Sequence, residues 1–151
     1  MTEVWFYRLQ RHRLEDVLPG LLEKTLHRGW RAVVVAGSAE RVEALNAHLW
    51  TWRRESFLPH GSKADGFAAD QPVWLTDSDE NPNGAKVLFL VDGAELSSSS
   101  GTFERVCDLF DGNDPAAVEA ARERWKRVKG AGHALSYWRQ GDSGWEKQAE
   151  V

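Results

Sequence analysis

Two short runs constrain this chain more than any other feature of it. Ala32-Val33-Val34-Val35 and Val87-Leu88-Phe89-Leu90-Val91 are apolar without a break. A strand with one wet face alternates apolar and polar residues, because successive side chains point to opposite sides. An unbroken run therefore belongs to a strand covered on both faces, the situation of parallel sheets held between helices. Residues 30–35 and 87–91 are accordingly expected as central parallel strands with helices on both sides.

The rest of the pattern fits that frame. Residues 3–9 are rich in aromatic and β-branched side chains and read as a strand. Leu14, Val17, Leu18, Leu21, Leu22 and Leu26 recur at helical spacing, with Gly29 as a stop and Pro19 expected to kink the helix or mark its first turn. Ser38 is placed to cap a second helix whose apolar stripe is Val42, Leu45, Leu49 and Trp50. Residues 52–66 read as irregular and 73–76 as a short strand. Asn81-Pro82-Asn83-Gly84 is a turn, and 97–101 is a flexible loop. Residues 104–110 form a strand through Val106, Leu109 and Phe110. Asp114 then caps a helix from Pro115 to near Gly130. Tyr137, Trp138 and Trp145 follow with little periodicity. The expectation is one domain over residues 1–151, a three-layer α/β/α sandwich on a mainly parallel sheet, with a less regular tail from about 139.

Charge and composition narrow the function. Nineteen Lys and Arg against 23 Asp and Glu give a net charge of −4, so global charge does not drive the chain onto DNA or anionic membrane, although a local basic patch remains open. The lone Cys107 excludes an internal disulfide and a Cys-rich zinc site. No apolar run reaches the roughly 18 residues of a membrane-spanning helix. Met1-Thr2-Glu3 lacks the layout of a signal peptide, and a cytoplasmic location is expected. Eight tryptophans and six phenylalanines are the unusual content, since that much indole often marks interfaces.

Chemical motifs are sparse. Ala36-Gly37-Ser38-Ala39-Glu40 follows a strand, but one glycine without a Gly-Lys-Ser/Thr ending is neither a phosphate loop nor a dinucleotide fingerprint. The fold is thus expected to be Rossmann-like without a nucleotide-binding loop. No nucleophile elbow occurs, and Cys107 reads as a small buried hydrophobe. His12, His27, His48, His60 and His133 are scattered and read as surface or capping residues, while Asp77, Asp79 and Glu80 lack the spacing of a calcium loop. No catalytic residue, cofactor or metal is expected.

Two constellations stand out. At about 100° per residue, Val118, Ala121, Trp125 and Val128 share one face of the last helix, and Arg122, Lys126 and Lys129 form a ridge beside it, with Phe110 at the preceding strand end. That set suits an acidic peptide with a hydrophobic anchor and a terminal carboxylate. On the residues alone the plainer reading stands ahead of it, cations that complement the helix dipole around a core tryptophan. The second is Leu49-Trp50-Thr51-Trp52 with Glu55-Ser56-Phe57-Leu58-Pro59-His60, either an exposed docking patch or a loop pinned over the sheet edge.

These residues carry a resemblance. The strand with Phe6-Tyr7, the Leu49-Trp50 pair, Glu55-Ser56-Phe57-Leu58-Pro59-His60, Val106-Cys107-Asp108-Leu109-Phe110, Ala121-Arg122-Glu123-Arg124-Trp125-Lys126 and Gly132 keep the order and spacing of the chi-subunit family of bacterial DNA polymerase III, from about residue 3 to 138. The resemblance implies a replisome adaptor without an active site, on an α/β/α fold like that of nucleotide-binding domains. It implies that Phe110, Arg122, Trp125, Lys126 and Lys129 grip the acidic C-terminal tail of single-stranded DNA-binding protein. Trp125 stands where many relatives carry Tyr. It further implies that Trp50, Phe57, Leu58, Pro59 and His60 meet the psi subunit, or an equivalent, of the clamp loader, so that DNA is met only indirectly. The competing reading is a small-molecule or nucleotide-binding enzyme with its site near Gly37 and Asp92-Gly93, at the carboxyl ends of the strands. A third, a direct single-strand binder using exposed tryptophans as stacking platforms, conflicts with the net charge.

Overall fold

The structure is a computed structural model and describes residues 2–51, 60–78, 80–95, 103–141 and 144–150. Among these residues the strands are β1 Glu3–Leu9, β2 Ala32–Val35, β3 Gly61–Ser62, β4 Val73–Thr76, β5 Val87–Leu90, β6 Arg105–Asp111, β7 Ala134–Gly141 and β8 Gly144–Glu150. They join one sheet in the order β3-β4-β2-β5-β6-β1-β7-β8. Neighbours run parallel except the β7–β8 pair. The helices are α1 Leu14–His27, α2 Ala39–Thr51 and α3 Pro115–Gly130. No helix among the described residues is long and apolar enough to cross a membrane.

The two apolar runs sit where double burial requires. β2 lies between β4 and β5, and β5 between β2 and β6. Val34 and Phe89 point into a core closed by Leu14, Leu18 and Leu22 of α1 and Val42, Leu45 and Leu49 of α2. Val33, Leu88 and Leu90 point the other way, toward Ala121 and Val128 of α3. Both cores exclude water; Val33, Val34, Leu18 and Leu22 have no exposed surface. The result is the expected α/β/α sandwich. Its caps are also as expected: Asp114 accepts from the Ala116 N–H at 3.0 Å, and Ser38 Oγ accepts from the Arg41 N–H at 3.2 Å.

Pro19 lies inside α1, and the helix continues through it. Proline has no N–H, so the Glu15 carbonyl one turn earlier loses its helical donor. His48 of α2 replaces it, with Nε2 2.7 Å from the Glu15 oxygen. A carbonyl only accepts, so Nε2 carries the proton. His48→Ala should therefore cost about 1–2 kcal/mol of stability by leaving that carbonyl unpaired. Urea unfolding checks this, and an unchanged midpoint would show that water replaces the imidazole.

Several sequence expectations need correction. The stretch expected to be less regular from about 139 holds the end of β7 and all of β8. β8 is a charged edge strand, and opposite Tyr137/Trp138 its pairing steps from Ala149 to Lys147, an extra residue that breaks the alternation of β8. The irregular 52–66 region contains β3, whose Gly61 and Ser62 are buried against β4. Trp50 leaves the α2 stripe and is 53% exposed. His60 is no surface residue: it is buried, its ring 4.3 Å from that of Trp50 and its Nε2 3.1 Å from the Asn46 carbonyl. The loop expected at 97–101 lies outside the described residues.

Candidate partner-binding surface

The rotation of α3 is fixed by a buried ion pair. Arg124 Nε and Nη2 donate to the two Asp108 carboxylate oxygens of β6 at 2.7 and 3.0 Å, with both side chains almost fully enclosed. Burial pushes the Asp108 carboxyl up, and the guanidinium fork opposes that rise. Pointing Arg124 at the sheet turns the rest of the helix with it. At about 100° per residue, Trp125 falls at the rim of the core, and Arg122, Lys126 and Lys129 fall on the outer stripe. The burial agrees: Ala121, Arg124 and Val128 are buried, Trp125 is half-buried, and the three cations are exposed.

Two of those cations have only loose partners. Arg122 stands 3.6 Å from Glu119 and Lys126 3.3 Å from Glu123, both exposed pairs one turn apart. Such pairs contribute little and exchange readily for a partner's carboxylate. Beside them Trp125 packs edge-on to Phe6, with centroids 5.3 Å apart, and to Tyr137 at 6.1 Å. Phe110 is only 5% exposed and reaches this group through Tyr137, with centroids 6.2 Å apart. The ring that stands with Trp125 at the ridge is therefore Tyr137, with Phe110 in the core behind it. Sequence reasoning left Tyr137 unassigned; its signal is the strand alternation that puts Leu135, Tyr137 and Arg139 on the α3 side of β7.

The second constellation is only partly visible. Trp50 and buried His60 come together, while Phe57, Leu58 and Pro59 lie outside the described residues. Phe67, 78% exposed, was not foreseen. It and Trp50 are the exposed large hydrophobics among the described residues, and they lie on either side of β3 in the chain.

The carboxyl ends of the strands open into a cleft of about 770 Å³ that includes Glu15, Arg41, Asp92, Gly93, Asp111 and Asp114. Arg41 bridges Glu15 and Asp92 across it. Burial alone would push the Glu15 carboxyl up, but the Arg41 hydrogen bond, a backbone hydrogen bond and the charges of Arg41 and Arg13 together hold it below its ordinary value. Arg11, His12, Arg13 and Arg124 line the cleft too; Arg41 and Arg124 are committed to carboxylates of the fold, and Arg13 pairs with Asp16 at 3.7 Å. Gly37 borders a neighbouring hollow lined by Asp77, Glu80, Asp92 and Glu95 with no Lys or Arg among the described residues, which disfavours a phosphate there. Cys107 is fully buried, and burial raises its thiol to about 12, so it is not a thiolate nucleophile at neutral pH. Among the described residues no three His, Cys, Asp or Glu side chains are grouped to hold a metal.

Comparison with known proteins adds the family. A family model described as DNA polymerase III chi subunit, HolC, matches residues 1–136. The chain is 38% identical over 77 residues to a protein of Rickettsia prowazekii (strain Madrid E) named "Probable DNA polymerase III subunit chi", covering 51% of this chain and 47% of that protein. It is 30% identical over 116 residues to "DNA polymerase III subunit chi" of Pseudomonas aeruginosa, covering 76% of this chain and 78% of that protein. The match thus spans about half of the first relative and over three quarters of the second.

Proposed function

Because the chain belongs to the DNA polymerase III chi subunit family, we propose that it is a non-catalytic adaptor of the cytoplasmic replisome that binds the acidic C-terminal tail of single-stranded DNA-binding protein. The observation that carries this reading is the α3 ridge. Arg122, Lys126 and Lys129 are exposed on one stripe beside the half-buried indole of Trp125. An acidic tail ending in an aromatic residue and a free carboxylate needs cations next to an apolar wall, and this stripe supplies both. Trp125 and Tyr137 form the wall, with Phe110 supporting them from inside. Each contact is weak alone. Many tails on one coated strand raise the local concentration and hold the polymerase there.

The second part of the reading is the link to the clamp loader. Trp50, with His60 buried behind its ring, and Phe57, Leu58 and Pro59, which lie outside the described residues, are proposed to serve the contact with psi or an equivalent subunit, His60 by holding Trp50 in place. The exposed Trp50 ring supports this, because aromatic anchors dominate the energetics of protein interfaces. Retention of purified single-stranded DNA-binding protein on the immobilised chain tests the tail contact. The intact protein should be retained and a version lacking its acidic tail released; equal retention of both would exclude the tail as ligand.

A further inference from the structure

Four of the eight tryptophans gather at one place that the adaptor reading leaves unused. On the α1 side of the sheet, a hollow of about 210 Å³ is lined by Trp5, Trp30, Trp138 and Trp145, with Lys24, Arg28 and Arg105 among the other lining groups. No carboxylate lines it, although acids outnumber bases in the whole chain. Trp138 and Trp145 also lie beyond residue 136, where the family match ends. The ridge of α3 is on the opposite face of the sheet.

Flat groups and cations interleave here. Trp138 stacks on Trp5 with centroids 5.1 Å apart and planes 29° from parallel. The Arg105 guanidinium lies over the Trp5 ring at 3.9 Å and also approaches Trp30, at 5.7 Å. Arg28 lies 5.7 Å from the Trp30 ring, and Lys147 lies 5.4 Å from the Trp138 ring. Arg105 Nε is buried there without a hydrogen bond, the Glu3 carboxylate standing 3.8 Å away as its ion-pair partner. Lys24 and Arg28, in and just after the last turn of α1, form no ion pair among the described residues.

We propose that this aromatic and cationic hollow is a contact site for single-stranded DNA. Planar bases extend a column of indole and guanidinium planes, and phosphates answer cations spaced around it, which is how strands without sequence preference are held. The hollow accepts about one base, with Trp30 and Trp145 as its half-buried walls. Lys24, Arg28 and Lys147 then meet the flanking phosphates. A strand passing here lies on the opposite face from the tail-binding ridge, so both contacts can be made together.

The test is quenching of tryptophan fluorescence by single-stranded oligodeoxythymidylate at low salt. Quenching should saturate and weaken with salt, with a log–log slope of about −2 if three phosphates are neutralised. Lys24→Glu/Arg28→Glu should lose roughly tenfold or more in affinity, with unchanged far-ultraviolet circular dichroism because both side chains are exposed. Arg122→Glu/Lys126→Glu on the other face should bind the oligonucleotide like the parent. Absence of quenching at low salt would overturn the proposal. So would parental binding by the Lys24/Arg28 variant, which would show that these cations serve only the end of α1. Polyglutamate binding that persists in Arg122→Glu/Lys126→Glu, is lost in Lys24→Glu/Arg28→Glu and exceeds that of the oligonucleotide would overturn the proposal and assign the hollow to an acidic protein partner.

Discussion

Arg124→Ala should destabilise the fold by about 3–5 kcal/mol, the range for breaking a buried ion pair by removing one partner. The variant leaves the Asp108 carboxylate enclosed between β6 and α3, where it previously accepted both arms of the guanidinium. Burial already pushes that carboxyl up, and without Arg124 nothing opposes the rise. A carboxyl whose folded pKa lies above its unfolded value favours folding below the unfolded value, and that contribution is lost as pH rises through the folded one. The deficit of the variant should therefore shrink toward about pH 4 and widen toward neutrality. Arg124→Lys should restore little of it, because an ammonium cannot reproduce the two-armed contact. Urea unfolding at both pH values checks the size and the sign, and a variant as stable as the parent at neutral pH would contradict the account.

Arg122→Ala/Lys126→Ala has the opposite profile, a large loss of binding with an intact fold. Each side chain is about 70% exposed, with relative exposures of 69% for Arg122 and 70% for Lys126. Stability should therefore stay within about 0.5 kcal/mol of the parent. Removing a charge-assisted hydrogen bond to a carboxylate costs about 1–3 kcal/mol each, so the double variant should lose roughly thirtyfold or more in affinity for single-stranded DNA-binding protein. Added salt should weaken the parent in the same direction, since these cations sit in water. A variant that retains the protein like the parent would reduce the ridge to a complement of the α3 dipole.

Much of this molecule follows from local pattern, and the exceptions share a cause. The central strands were legible because burial on both faces removes alternation, and α3 because Asp114-Pro115 marks a helix start in two residues. The ridge was legible because its spacing is a property of one helix. Arg124 was not, for it looks like one more cation of Arg122-Glu123-Arg124-Trp125-Lys126 until Asp108, sixteen residues earlier, is placed beneath it. The pairing of His48 with the carbonyl freed by Pro19 needs two helices in register. The β7–β8 hairpin hid behind a bulge and a polar edge. The four-tryptophan hollow exists only because β1 inserts between β6 and β7, carrying Trp5 to Trp138. Sequence periodicity reports the partners of a residue within its own element and is silent about those that strand order brings together.

The adaptor account rests on a terminal aromatic residue and its carboxylate being recognised beside Trp125. Calorimetric titration of the acidic tail peptide into the chain, with and without its terminal Phe, measures that directly. The full peptide should bind with a dissociation constant of micromolar order, about −8 kcal/mol, and the shortened one should show no saturable heat in the same range. Equal binding of the two peptides would contradict the account.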